Sequence, residues 1–173
     1  GGEARDKRVI CYLYDGTAPY PPRYVLPDYE RAVAQGSAHL ELEPPRDLDD
    51  ALSFLQIMFA HVPSVTTYPV YLGDLDKVLA PFVADVGDER LDRSLRRFWI
   101  ALDRMLPDAF VHTDLGPADS RVARSILRVE RSLRQVVPNI TLKVDPAINP
   151  DDLLLDAVNT VFETAKPHFV NHP

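Results

Sequence analysis

Polar side chains that could bind a small substrate or move protons stand at the ends of several predicted strands. His112 and Asp114 end one strand, Lys143 ends another, and Asp74 follows a third. In an open α/β sheet the carboxyl ends of parallel strands lie at one edge, where ligands usually bind. Carboxylates, an imidazole and an ammonium that converge there can hold a polar molecule and transfer protons. These four residues are the substrate-pocket candidates; the alternative is that Asp residues at such places only cap helices or form turns.

The alternation of side chains along a strand divides these residues further. His112 and Asp114 point to one side of their strand, whereas Val111 and Thr113 point to the other. An apolar layer under helices would leave His112 and Lys143 without polar partners. We therefore predict that His112, Asp114 and Lys143 project into the concave side of the sheet.

Other kinds of chemistry have little support in the sequence. His168 and His172 have a spacing seen in metal sites, but that spacing joins side chains on a helix and these two flank a predicted strand. No Cys/His cluster and no Gly-rich phosphate loop occurs. Cys11 lies in an apolar run without a nearby His or helix start, which favours a buried and inert thiol. No catalytic, cofactor-binding or metal-binding residue is predicted.

A row of arginines marks one face of a predicted helix. Arg121, Arg124, Arg128 and Arg131 lie away from its apolar stripe. Such a face can grip nucleic acid or an acidic surface, and more often it is solvated. The net charge of -7 favours the solvated face and argues against a nucleic-acid partner.

The composition indicates one globular unit over residues 1–173. Hydrophobic residues make up 46% of the chain and charged residues 26%. With one cysteine, no signal-like leader and no apolar run of bilayer length, we expect a cytoplasmic protein without a membrane partner. The chain opens on Gly1-Gly2 without Met and closes just after a predicted strand, so we expect a fragment of a larger chain.

Strands alternate with helices through most of the sequence, which indicates an α/β fold with mostly parallel pairing. Three helices have clear apolar stripes. The stripes are Leu48, Ala51, Leu52, Leu55, Met58 and Phe59; Leu91, Leu95, Phe98, Leu102 and Met105; and Val122, Ile126, Val129, Leu133 and Val136. The predicted strands are 7–14, 67–72, 109–113, 139–144 and 168–171. The predicted helices are 28–35, one from Asp47 to before Pro63, 74–83, 88–106, 117–136, and one capped by Asn149. Residues 18–27 form a proline-rich loop.

Seven segments, spread over nearly the whole chain, carry a family resemblance. They are 15–16 (DG), 19–24 (PYPPRY), 67–76 (TYPVYLGDLD), 102–110 (LDRMLPDAF), 138–145, 150–155 and 166–171 (KPHFVN). Together they resemble the YjjI-type glycyl radical enzymes. The Pro-Asn-x-Thr strand at 138–141 is also similar to one shared more widely among glycyl radical proteins.

The resemblance implies a fold and a chemistry. In such enzymes two half-barrels of strands, wrapped by helices, enclose a loop that bears a glycyl radical. A separate iron-sulfur activase that uses S-adenosylmethionine installs the radical, which oxidises a cysteine to a thiyl; the thiyl abstracts hydrogen from the substrate. Enclosure protects such a radical from solvent. The chain would then be a helix-wrapped, mostly parallel half-barrel.

The resemblance also sets limits. The thiyl cysteine and the radical glycine of the family belong to segments without a match in this sequence, and Cys11 lies too early to correspond. We therefore expect a segment that is inactive alone, whose partners are the remainder of the parent chain and an activase, with a homodimer as an open alternative. The alternative function is that of a non-catalytic α/β binding or assembly domain.

Overall fold

A four-stranded parallel sheet organises the chain. The computed structural model describes residues 25–66, 70–105 and 111–172. The predicted strand at 7–14 and most of the proline-rich loop lie outside these residues. The strands pair in chain order, so each strand lies beside the next one in the sequence. They are β1 (Tyr71–Asp74), β2 (His112–Leu115), β3 (Asn139–Val144) and β4 (His168–Asn171).

Helices precede the sheet and link its strands, as the α/β prediction requires. A single 3₁₀ turn, Ala80–Phe82, continues the short helix after β1. The helices are α1 (Tyr29–Gln35), α2 (Leu48–Thr66), α3 (Leu75–Leu79), α4 (Asp88–Met105), α5 (Arg121–Leu133) and α6 (Asp151–Thr164). In the described part of the chain the sheet is open, so the finer prediction of a half-barrel goes beyond the observed architecture.

One face of the sheet packs into the core. Leu115 of β2 and Ile140 and Leu142 of β3 are fully buried, and they share one cluster with apolar residues of α4 and α5. Trp99, also fully buried, is the largest side chain of that cluster. Burial of this apolar surface is the main favourable contribution that fixes the helices on the sheet.

The predicted helix stripes are largely correct, and their errors lie at helix ends. All six residues predicted for α2 are buried, as are Leu91, Leu95, Phe98 and Leu102 of α4 and Val122, Ile126 and Val129 of α5. Met105 is 59% exposed because it is the last residue of α4. Val136 is 82% exposed because α5 has already ended at Leu133.

Three predicted helices have wrong bounds. The helix predicted from residue 117 begins at Arg121, because the side chain of Ser120 accepts a hydrogen bond from the Ala123 N–H and caps it. The helix predicted to stop before Pro63 continues to Thr66. Pro63 lacks the N–H that would bond the carbonyl of residue 59, and about one turn of helix follows it. The helix predicted over 74–83 is α helix only to Leu79.

Candidate functional site

Three predicted site residues meet around one ammonium group. Lys143 Nζ donates a hydrogen bond to Asp74 Oδ1 and lies 3.5 Å from Asp114 Oδ2. The side chains of Lys143, Asp74 and Asp114 are 20%, 24% and 15% exposed, so water screens the pairs only in part. The residues come from β3, from the end of β1 and from β2. We call Asp74, His112, Asp114 and Lys143 the polar cluster.

The fourth predicted residue, His112, joins the cluster through a neighbouring strand. Its Nε2 lies 2.7 Å from Thr141 Oγ1 and 3.8 Å from Asp114 Oδ1. The ring also stands 5.2 Å from the ring of Tyr71, centroid to centroid, across β1 and β2. These contacts orient the imidazole, while the tautomer decides which nitrogen of the ring donates.

Strand register explains why the cluster forms. Asp74 aligns with Asp114, and Asp114 aligns with Thr141, in a row across β1, β2 and β3. Alternate residues of β2 face the helices: Thr113 is fully buried, whereas its neighbours His112 and Asp114 are half-buried. The structure thus places all four candidates together, away from the buried face. Their role in holding a substrate stays a prediction.

Burial and charge set the protonation states in the cluster. Burial raises the pKa of Asp74, but hydrogen bonds from Lys143 and from Lys77 outweigh it, so the net pKa lies below the ordinary value. Burial lowers the pKa of His112; the Asp114 carboxylate opposes that effect and His168 adds to it. Near neutral pH the cluster therefore contains an ionised Asp74 carboxylate and an uncharged His112 imidazole.

The buried carboxylate of Asp76, which the sequence analysis did not identify, holds the turn next to the polar cluster. Asp76, 3% exposed, accepts a hydrogen bond from the Gly116 N–H at 3.0 Å and lies 3.5 Å from Ser120 Oγ. Burial raises the pKa of Asp76, and the hydrogen bond from Gly116 opposes that rise. Gly116 has φ +75°, a conformation that suits glycine. Asp76 thus fixes the turn that follows Asp114.

The predicted cap residue Asn149 does not cap α6; its side chain joins two loops. The residue before α6 is Pro150, and the Asn149 side chain makes no cap. Its Oδ1 accepts from the Asp145 N–H, and its Nδ2 donates to the Pro117 carbonyl, each at 2.6 Å. The side chain therefore ties the end of β3, directly after Lys143, to the loop that follows β2.

A cleft of about 320 Å³ opens beside the cluster. Asp74, Asp114 and Lys143 line it from the sheet, and residues of α1 and of the segment before it, including Tyr29, line the opposite side. His112 is not part of the lining. The cleft has room for a small molecule next to three of the four predicted residues.

Comparison with known proteins places the chain in a family. Residues 2–173 match the family model described as "Glycyl radical enzyme YjjI-like". The chain belongs to this family. Its family resemblance, predicted from residue motifs alone, is thereby confirmed.

Two curated proteins share much of this family sequence. A protein of Escherichia coli (strain K12), described as "Uncharacterized protein YjjI", is 54% identical over 170 residues, which are 98% of this chain and 33% of that protein. A protein of Haemophilus influenzae (strain ATCC 51907 / DSM 11121 / KW20 / Rd), described as "Uncharacterized protein", is 42% identical over 164 residues, which are 95% of this chain and 32% of that protein. The chain spans about a third of the length of these relatives.

The described residues contain neither a metal-ligand group nor a membrane-spanning helix. Within residues 25–66, 70–105 and 111–172, no group of three or more His, Cys, Asp or Glu side chains could hold a metal ion. In the same ranges no helix is both long and apolar enough to cross a membrane. Cys11 lies outside the described residues, so the prediction of an inert thiol stays untested.

The arginine row of α5 is partly solvated, with side chains 26–44% exposed, and it is also paired. Each arginine pairs with a carboxylate of the chain itself, so the row joins helices and offers little free positive charge. The pairs are Arg121 with Asp88 (2.7 Å), Arg124 with Asp152 (2.9 Å), Arg128 with Asp92 (2.7 Å) and Arg131 with Asp156 (2.8 Å).

Proposed function

We propose that this chain supplies part of the substrate-holding wall of a glycyl radical enzyme. The observation that carries the proposal is the convergence of Asp74, His112, Asp114 and Lys143, from three strands, beside the cleft. The contacts of Lys143 and Lys77 use only part of the acceptor capacity of the two carboxylates. A polar group that leaves water without a partner is costly. A small polar substrate would supply the further donors.

Each member of the cluster has a role that its charge suits. The carboxylates of Asp74 and Asp114 accept hydrogen bonds from hydroxyl or amino groups of the substrate. The ammonium of Lys143 donates to a carbonyl or leaving oxygen and can supply it with a proton. The uncharged imidazole of His112, whose Nε2 is hydrogen-bonded to Thr141 Oγ1, can accept a proton, and the Asp114 carboxylate 3.8 Å away would stabilise the charge that results. Orientation of the substrate lowers the entropic barrier to its reaction.

The radical step itself is not assigned to any residue of this chain. Family membership supports a backbone glycyl radical, installed by an S-adenosylmethionine iron-sulfur activase, with hydrogen abstraction by a cysteine thiyl. We propose that these elements belong to the longer polypeptide of which the chain forms about a third, and that the open sheet is one side of its barrel. Cytoplasmic location is part of the same proposal.

Binding of small polar probes tests the role of the cluster. Amide spectra of the isotope-labelled chain would be recorded with propane-1,2-diol, ethanolamine or lactate added in turn. We expect at least one probe to shift the signals of β2 and β3 near Asp114 and Lys143. Asp114→Asn and Lys143→Met should each raise the Kd of that probe by at least about tenfold, since a hydrogen bond to a charged group is worth about 1.5–3 kcal/mol.

The matched control is Asp156→Asn. Asp156 also pairs with a cation, Arg131, and its side chain is 25% exposed, but it lies on α6 away from the cleft. Its Kd for the same probe should equal that of the unaltered chain. If no probe shifts the cluster, or if Asp114→Asn and Asp156→Asn act alike, the proposed substrate wall is wrong.

A further inference from the structure

The charges around the cleft beside the polar cluster are unequal. The described residues that line it include four carboxylates and one ammonium group, which belong to Asp28, Glu30, Asp74, Asp114 and Lys143. Lys77 pairs with Asp74 from outside the lining, and with it included four carboxylates still face two ammonium groups. Water screens the exposed Asp28 and Glu30, so the half-buried Asp74 and Asp114 contribute most. The field in the cleft therefore attracts cations and repels anions.

Both ammonium groups near the cleft already have an anionic partner. Lys143 donates a hydrogen bond to one oxygen of Asp74, and Lys77 Nζ donates to the other at 2.6 Å. A carboxylate or phosphate of a ligand would have to displace Asp74, and it would then meet Asp114, which lies 3.5 Å from Lys143. Like charges that lie so close together repel, so this wall disfavours an anionic ligand.

The carboxylate of Asp114, by contrast, can accept further hydrogen bonds. Its side chain is 15% exposed, and none of the residues in the described ranges donates a hydrogen bond to it. Lys143 Nζ lies 3.5 Å from Oδ2, longer than the roughly 2.7–2.9 Å of a strong charged hydrogen bond. A carboxylate that leaves water without donors is costly, and a protonated amine supplies both donors and the compensating charge.

A second polar group of the lining also lacks a partner. Tyr29 is 3% exposed, and its hydroxyl makes no hydrogen bond within the part of the chain that the structure describes. Tyr29 belongs to α1, on the side of the cleft opposite Asp114. Buried polar groups normally have a partner, and a phenol oxygen accepts from an N–H donor. The ring of Tyr71 lines the cleft as well, and an aromatic face attracts a cation.

We propose that the cleft binds a small molecule that carries a protonated amine and, on the same short carbon chain, a neutral oxygen group. Asp114 accepts from the ammonium group, and Lys143 donates to the hydroxyl or carbonyl oxygen. Small amines with a hydroxyl or carbonyl group fit this arrangement, whereas carboxylates and phosphate esters do not. The inference rests on the proposed function, because it assigns a substrate class to the same site.

Three probes with one carbon skeleton test the preference for a cation. Near neutral pH, 1-aminopropan-2-ol is cationic, propane-1,2-diol is neutral and lactate is anionic, and all three carry a hydroxyl on the second carbon. At low salt the amine should have a Kd at least about fivefold below that of the diol, since charge-assisted hydrogen bonds are about twice as strong as neutral ones. Lactate should bind most weakly. Higher ionic strength should narrow these differences, because salt screens the charges.

The variant Asp114→Asn distinguishes the cleft from the general attraction of a chain with net charge -7 for cations. Asn keeps a carbonyl oxygen but removes the negative charge. The Kd of the amine should rise at least about tenfold and that of the diol less than about threefold. Asp156→Asn removes the same charge from α6, away from the cleft, and should leave both Kd values unchanged.

The possible results separate this inference from the proposed function. If the diol or lactate shifts the signals of β2 and β3 and binds as tightly as the amine, the substrate class is wrong and the substrate-holding wall stands. The same follows if the amine preference survives in Asp114→Asn. If no probe shifts these signals, or if Asp114→Asn and Asp156→Asn act alike, both proposals are wrong. Should Asp114→Asn not fold, the order of the three Kd values in the unaltered chain gives the decision.

Discussion

The Nζ atom of Lys166 lies 2.9 Å from Oε1 of Glu130, and the two side chains are only 7% and 0% exposed. Glu130 Oε2 accepts a hydrogen bond from Trp99 Nε1 at 3.0 Å. Lys166 Nζ also donates to three carbonyls in the loop between α5 and β3, including those of Gln135 and Pro138. This buried pair therefore joins α4, α5 and the segment that leads into β4.

Breaking the pair from one side should destabilise the fold strongly. Lys166→Met leaves the Glu130 carboxylate charged and buried, and removal of one partner of a buried pair costs about 3–5 kcal/mol. The double variant Lys166→Met/Glu130→Gln removes the buried charge and keeps an acceptor for Trp99. Urea unfolding should show the double variant to be more stable than Lys166→Met by about 1 kcal/mol or more, because an uncompensated buried charge costs more than a buried neutral amide. A double variant that is no more stable than Lys166→Met would contradict the buried-pair account.

Titration of His112 predicts how stability depends on pH. Burial, with His168, lowers the pKa of His112 below its ordinary value of 6.5, while Asp114 opposes that effect. Just below pH 6.5 the unfolded chain then binds more protons than the folded chain. The contribution of His112 to the free energy of unfolding is therefore fully present above pH 6.5 and is lost as the pH falls from there toward the lower pKa of the folded chain. The loss in unfolding free energy between pH 7.5 and pH 5.5 should be smaller in His112→Gln. An equal loss in both proteins would show that His112 titrates alike in the folded and unfolded states.

The sequence was sufficient to predict elements whose signals are local. The predicted bounds of β3 and β4 match the structure, because each strand starts directly after a proline and contains several β-forming residues. The side of the strand on which His112 and Asp114 lie follows from the two-residue period of a strand.

Contacts between distant segments lay beyond such reasoning. Thr141 meets His112 across 29 positions, and Asp76 meets Gly116 across 40, so both contacts depend on strand register and helix packing. The sequence predicts Asn149 as a helix cap, because Asn directly before Pro is typical of a helix start. In the folded chain its side chain instead forms hydrogen bonds with backbone groups of two separate segments. Tertiary hydrogen bonds of this kind have no signal in the local sequence.

The bridging role of Asn149 gives a stability prediction. Asn149 is 6% exposed, and Asn149→Ala would leave the Asp145 N–H and the Pro117 carbonyl without their partner. A buried unsatisfied group costs about 1–3 kcal/mol, so the unfolding free energy should fall by about that amount. Asn159→Ala, on the exposed side of α6, should change it by less than about 0.5 kcal/mol. A loss below about 0.5 kcal/mol in Asn149→Ala would show that the tie between β3 and the loop after β2 contributes little.

Truncation of Ile126 measures how far α5 holds the sheet together. Ile126 is fully buried in the cluster that contains Leu115 and Leu142, so Ile126→Ala removes apolar contacts and leaves a cavity between helix and sheet. The expected loss in unfolding free energy is about 2–5 kcal/mol, the range for truncation of a core side chain. Leu155→Ala is the control, because Leu155 is 62% exposed in this chain and should cost less than about 0.5 kcal/mol there. Urea titration with two spectroscopic probes gives both values and checks that unfolding is two-state. A loss below about 1 kcal/mol for Ile126→Ala would mean that α5 does not pack on the sheet through this side.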